Sequence, residues 1–321
     1  MMESEALAQL SNALVYSSMF VLALAMLAFA ASFAGRRTKA PAEVEANVAQ
    51  PVPATVGAAP ESVQPETLPA EDPAGRRIGN IGMALSWLAW FLLLGGVIAR
   101  GLWAERVPWG NMYEFSLTSA LAVLGVFLGV SVWRDVRWLG VIIIPLVLLT
   151  LGLAVTVLYT EASQLVPALQ SYWLIIHVST AIVCGGAFTF AASVAGLYLI
   201  ADGAGESGWR ARWAQRLPAA QRLDRMAYRT IAFTFPLWTF AVVSGAIWAE
   251  SAWGRYWGWD PKETWAFITW VAYAAYLHAR STAGWRGRRA AWLAIAGAGI
   301  FWFNYFGVNL LFSGLHSYSG V

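Results

Sequence analysis

Charge is scarce in this chain. Asp, Glu, Lys and Arg make up 12% of its 321 residues, about half the usual share of roughly 25% in soluble domains. So few charges cannot solvate a globular surface of this size, which argues against a soluble domain. There is one cysteine, Cys184, so an internal disulfide and any site built on cysteine pairs are excluded. It lies beside Gly185 and Gly186 in an apolar run and reads as a small packing residue. Histidines number three. No glycine-rich phosphate loop and no Ser/His/Asp constellation occurs, which argues against an ATP-driven pump acting alone. No basic cluster accompanies a soluble fold to present it, which argues against nucleic-acid binding. The first apolar run, 13–34, is too long and lacks the basic start of a cleavable signal peptide; it reads as a retained span.

What the chain has in quantity is apolar residues, 59% of the total, in runs of about 18 or more, the length that crosses a bilayer as a helix. The reading is an all-α polytopic membrane bundle of about eight helices, over 13–34, 79–101, 113–133, 138–158, 173–199, 230–249, 265–283 and 290–312. Lys and Arg set its orientation. With the loop after the first span inside, the inner loops hold all of the 21 basic residues except Arg100, Arg106, Arg255 and Lys262. Both termini are then expected on the extracytoplasmic side. Residues 35–77 are rich in Pro, Ala, Glu and Val without periodicity and read as a disordered cytoplasmic linker. They leave a loosely tethered anchor, 1–34, and a main membrane domain, 78–321. Residues 201–229 read as an inner loop with an interfacial helix.

The segment Trp253-Gly254-Arg255-Tyr256-Trp257-Gly258-Trp259-Asp260-Pro261-Lys262-Glu263-Thr264-Trp265 carries four tryptophans in thirteen residues. By the same alternation it faces outward. Tryptophans collect at membrane interfaces simply as anchors, and Trp103, Trp109, Trp138 and Trp173 fit that role. Trp253, Trp257 and Trp259 differ in crowding one short loop with charged neighbours. They suit a large flat ligand with an apolar face, with Arg255 and Lys262 available to anionic edges. Asp260 before Pro261 also reads as a helix start. His177 lies at the outer end of the fifth span and His316 just beyond the eighth, so two imidazoles flank this shelf. That arrangement suits axial ligation of a haem iron. His278 lies about 20 Å further along the helix after the loop, in the inner half of the bilayer. A membrane histidine can also simply bridge helices, yet an ionisable group within a span is a functional candidate by default. Asn111 and Glu114 read as caps of the third span, and Asn304 and Asn309 as interhelical hydrogen-bonders.

The loop resembles the tryptophan-rich WWD signature of haem-handling proteins. With Asn111-Met112-Tyr113-Glu114, Tyr172-Trp173 to His177-Val178, Tyr276-Leu277-His278-Ala279-Arg280 and Asn309-Leu310 to His316-Ser317-Tyr318, the chain is identified as a member of the CcsA/ResC family of System II cytochrome c maturation. The resemblance covers about residues 80–321, with the signature loop at 250–265. It implies that His177 and His316 are axial ligands to haem b at the outer face. It further implies that His278 helps bind haem within the membrane, and that Trp253, Trp257, Trp259 and Asp260 belong to the same site. A ResB-type subunit and apocytochrome c are the implied partners, besides membrane lipid. Haem would be attached by thioethers to Cys-X-X-Cys-His sites, as in a holocytochrome c synthase. The chain has no such site itself, so it is not a c-type cytochrome. Two other readings stand beside this one: a haem exporter or chaperone without synthase activity, and a b-haem electron-transfer protein.

Overall fold

Backbone N–H and C=O groups find no water in a hydrocarbon layer, so a chain this apolar satisfies them within helices. The structure, a computed structural model, describes residues 2–36, 72–162, 170–282 and 285–316. Every regular element among them is helical. In chain order these are α1 (Met2–Gly35), α2 (Pro73–Ala104), α3 (Met112–Trp133), α4 (Gly140–Thr156, entered through a 3-10 turn at Arg137–Leu139) and α5 (Tyr172–Asp202). They are followed by α6 (Gly208–Ala214), α7 (Ala220–Trp253), α8 (Pro261–Ser281), α9 (Arg288–Trp302), a π-turn over Phe303–Gly307, and α10 (Val308–Leu311).

Seven of these stretches are long and apolar enough to cross a membrane. The eighth expected span, 265–283, falls on α8. That helix has 21 residues, about 31 Å at 1.5 Å per residue, but it carries Lys262 and Glu263 in its first turn and His278 and Arg280 in its last, and it is not among the seven. It packs against α7 and α9. The expected span 230–249 lies inside a helix of 34 residues, α7. At about 51 Å it overruns the hydrocarbon at both ends, carrying arginines at one and tryptophans at the other. The interfacial helix expected over 201–229 is therefore only the short α6. The linker read at 35–77 lies mostly outside the described residues. Its last residues already belong to α2, which begins at Pro73, a residue whose fixed φ and missing N–H suit the first helical position.

The first helix does not stand apart. It packs along the length of α2, with Ser18 Oγ donating to the carbonyl of Ala89 and Ser11 Oγ to that of Gly96, each at 2.8 Å. Buried hydroxyls that reach a neighbouring helix contribute about 0.6 kcal/mol each in a membrane. The linker's composition had suggested a loose anchor; these paired serines and the close packing around them are the reason it is not.

Phe188 of α5 sits at the centre of the bundle, fully buried. Its ring stacks on Tyr273 of α8 at 3.8 Å and meets Trp238 of α7 and Phe301 of α9 edge-on at 6.2 and 6.0 Å. Four helices thus share one cluster of rings. Gly186 allows α5 to approach α3 closely: a Cβ there would lie 3.0 Å from the backbone of Ala122. Above the ring cluster the helices part, and the site lies in that opening.

Candidate functional site: a tryptophan-walled cavity with two imidazoles

The tryptophan loop is shaped by one carboxylate. Glu263, buried in the first turn of α8, accepts from the N–H of Gly258 at 2.8 Å, from the N–H of Asp260 at 3.1 Å and from Arg255 Nη1 at 3.1 Å. Gly254 ends α7 in the left-handed conformation, and Asp260 opens α8 in a capping box with Glu263. A Cβ at Gly258 would displace the Arg255 guanidinium from its place beside Glu263. Trp259 takes φ of +60°, unusual for a bulky side chain, and turns outward against Trp257 and Phe267. Trp253 and Trp257 turn inward.

They wall a cavity that also receives His177, His316, Lys262 and the Trp109–Met112 segment. Its volume for water-sized spheres is about 190 Å3, more than ten times the roughly 10–15 Å3 that one water needs. Trp238 and Phe301, from the ring cluster, form its floor.

His177 lies in the second turn of α5, and its Nδ1 is 2.7 Å from the carbonyl oxygen of Ala241 on α7. A carbonyl only accepts, so Nδ1 carries the hydrogen and Nε2 the lone pair. The ring stacks on Trp248 at 6.1 Å. Gly245 makes room for it: a Cβ at that position would fall 2.7 Å from the imidazole. His316, beyond α10, repeats the arrangement with a different acceptor. Its Nδ1 is 2.7 Å from Asp260 Oδ2, and its ring meets Trp253 at 4.9 Å and Trp248 at 5.6 Å. The same aspartate accepts from the N–H of Leu315 at 2.7 Å and of Lys262 at 3.1 Å. Burial raises the Asp260 pKa, but the His316 hydrogen bond and these amides outweigh it and hold the carboxyl below its usual range. Burial lowers the His316 pKa, more than Asp260 raises it, which favours the neutral ring. Both imidazoles are thus tethered at Nδ1, an arrangement common where histidine binds metal.

Burial pushes Lys262 down to about 7, with the Asp260 charge acting the other way. Three lining atoms are buried without a hydrogen-bond partner: Asn111 Nδ2, Trp238 Nε1 and Asn304 Oδ1. Each such atom costs about 1–3 kcal/mol unless something bonds it. The cavity therefore suits an occupant with polar edges and a broad apolar face. Among the described residues no group of three His, Cys, Asp or Glu converges on a metal. Two neutral imidazoles between aromatic walls suit a metal that brings its own in-plane ligands, as a porphyrin does.

The structure brings His177, His316, Trp253, Trp257 and Asp260 together. It does not bring His278 or Trp259 to the cavity: His278 is exposed on the outer side of α8, and Trp259 is 65% exposed. Arg255 is paired with Glu263. Asn111 caps α3 and Glu114 is buried between Arg100 and Arg106, at 3.0 and 2.7 Å. Asn309 bonds across helices, to Met112 Sδ at 2.8 Å. Sequence reading did not single out Trp248, Gly245 or Trp238. Nothing local marks them, because their role is contact with residues far along the chain. The π-turn at Asn304 is of a kind frequent at functional sites, but a one-residue widening leaves no periodicity to detect.

Fold and cavity together define a polytopic helical membrane protein whose site pairs two histidines at one end of the bundle. The sequence model of the family described as "Cytochrome C assembly protein" matches residues 109–316, which include every cavity residue named above. The chain is 38% identical over 285 residues to "Cytochrome c biogenesis protein CcsA" of Synechococcus elongatus, covering 75% of this chain and 87% of that one. The proteins of that name from Picosynechococcus sp. and Trieres chinensis are 35% and 34% identical over 298 and 279 residues, each covering 75% of this chain and 87% and 86% of the relative. A solved structure, "Cytochrome c Heme Lyase CcmF", superposes with a TM-score of 0.58 at 16% identity, covering 92% of this chain and 46% of that one. At that identity it bears on the fold alone, and this chain spans about half its length. The chain belongs to the cytochrome c assembly family and is a CcsA-type cytochrome c biogenesis protein, a multi-pass membrane protein with a role in haem handling.

Proposed function

We propose that the cavity holds haem b as cargo and presents it to apocytochrome c at the extracytoplasmic face of the cell membrane. The observation that carries this is the pair of Nδ1-tethered imidazoles, His177 and His316, opening on one tryptophan-walled cavity. Their Nε2 atoms supply the iron ligands. Ala241 and Asp260 hold the Nδ1 protons in place, so neither ring turns its N–H toward the metal. Trp253, Trp257 and Trp248 give apolar contact and exclude water. Lys262 and the Asn111 amide provide donors for carboxylate edges. Bound haem supplies the vinyl groups that take up the cysteine thiols of the apocytochrome. The chain's part is positioning rather than acid–base chemistry.

A ResB-type subunit partners the main domain, 78–321, and His278, exposed on the outside of α8, faces that subunit or the lipid. The anchor 1–34 and linker 35–77 precede this domain. The spectrum of purified protein tests the ligand assignment: His177→Ala and His316→Ala should each lose the bis-histidine signature. Retention by both variants would refute it. Transfer of haem to a Cys-X-X-Cys-His apocytochrome, in vesicles carrying this chain and a ResB-type subunit, separates a synthase from an exporter or a permanent electron carrier.

A further inference from the structure

A second cleft lies between α3, α5 and α7, at the arginine-bearing end of the bundle and away from the cavity of His177 and His316. Its volume is about 640 Å3. Its polar end is built by Arg134, which caps α3, and by Arg222, Arg225 and Arg229 of α7. The last three recur at intervals of three and four residues, so they share one helix face. Among the described residues no Asp or Glu lines the cleft. Elsewhere at this end arginines meet carboxylates: Arg137 with Asp135 at 2.7 Å, Arg280 with Asp224 at 2.5 Å, Arg288 with Asp202 at 3.6 Å. Arg134, Arg222 and Arg229 make no ion pair with any described residue.

The other end is apolar. Val126, Val183, Phe190 and Leu237 carry the cleft into the spanning parts of the three helices. Phe190 is fully buried, while Trp133 and Phe233 are 81% and 74% exposed at its edge. A cationic mouth opening on an apolar trough at bilayer depth matches an anionic headgroup with an acyl chain. A free anion would leave the trough unfilled, and a peptide would leave backbone groups unbonded in it. Among the described residues no histidine lines the cleft to hold the iron of haem.

We infer that this cleft is a binding site for one acidic phospholipid, its phosphate held by Arg134, Arg222 and Arg229 and one chain laid along α3, α5 and α7. Basic pockets between membrane helices bind such headgroups, each basic residue contributing enough that losing three weakens binding by well over about ten-fold.

The test uses the full-length protein in nanodiscs of phosphatidylcholine with a minor share of phosphatidylglycerol. After partial delipidation, native mass spectrometry counts the lipid that stays bound. The wild type should retain one phosphatidylglycerol, and the triple variant R134Q/R222Q/R229Q should lose it by about ten-fold or more. The triple lysine variant should keep it, which separates charge from folding. R210Q/R212Q, which removes two charges outside the cleft, should also keep it. Equal retention by the triple glutamine variant, retention of phosphatidylcholine in its place, or stoichiometric displacement by haemin would each overturn the assignment.

Discussion

Asp260 makes three hydrogen bonds with two oxygens, and they join a helix start, the segment beyond α10 and a histidine. Its place before Pro261 revealed the helix start in the sequence. The bond to His316, 56 residues away, was not legible, because nothing in either neighbourhood refers to the other. Asp260→Asn keeps the size but not the charge. Loss of such a partner typically costs about 10–100-fold in metal affinity, measurable here as haem retained on titration with a competing haem-binding protein. Gly245→Ala should produce a similar loss from the other side, since the added methyl meets the His177 ring. Lys262 makes a pH prediction. Its folded pKa is lowered from 10.5 to about 7, so across that interval the unfolded chain holds a proton that the folded chain has released. Stability contributed by this group therefore rises with pH from about 7 to 10.5, and below 7 the burial penalty is fully present. A bound carboxylate favours the charged amine again. Haemin affinity should thus increase as pH falls from about 9 to 7, and Lys262→Met should flatten that dependence; an unchanged slope in the variant would remove Lys262 from the site.

At the scale of elements, α3 is fastened by Glu114, which is fully buried. Its carboxylate accepts from Arg100, Arg106 and the N–H of Gly110, and Arg100 Nη2 donates on to the carbonyl of Thr160. Leaving buried guanidinium groups unpaired costs about 3–5 kcal/mol. Glu114→Gln should lower the thermal midpoint in detergent accordingly, and the Trp109–Met112 wall of the cavity with it. The cap itself was readable from Asn111 and Glu114 at three residues' spacing, whereas the two arginines were assigned to the outer surface only as stray charges. Helix existence was legible nearly throughout, because apolar runs of this length leave little alternative. Ends were less so: α7 continues through Arg222, Arg225 and Arg229, since arginine is a good helix former and its stem reaches water from a helix that overshoots the bilayer. The polar ends of α8 make it the least apolar of the long helices, although its middle packs among the rings of Phe188 and Trp238.

For the whole molecule, the distribution of Lys and Arg predicts that the tryptophan loop and the arginine-bearing end lie on opposite sides. A membrane-impermeant thiol reagent checks this. Cys184 is fully buried, so Cys184→Ala provides a background with little else changed. On intact cells Tyr256→Cys, at an exposed loop position, should label, and Arg210→Cys should label only after permeabilisation. The reverse pattern would invert the topology. What the sequence could not convey at this scale is that distant segments close one cavity: its lining comes from α3, α5, α7, α8, α9, the π-turn, α10 and the chain beyond it. The two imidazoles that meet there are mounted unequally. His177 is a post, set in a membrane helix and bonded to the backbone of another. His316 is a latch, five residues past the end of α10 at Leu311, held by Asp260 through its ring and the amide before it. In the proposed cycle, releasing cargo therefore requires undoing a short clasp beyond α10 rather than moving a membrane helix.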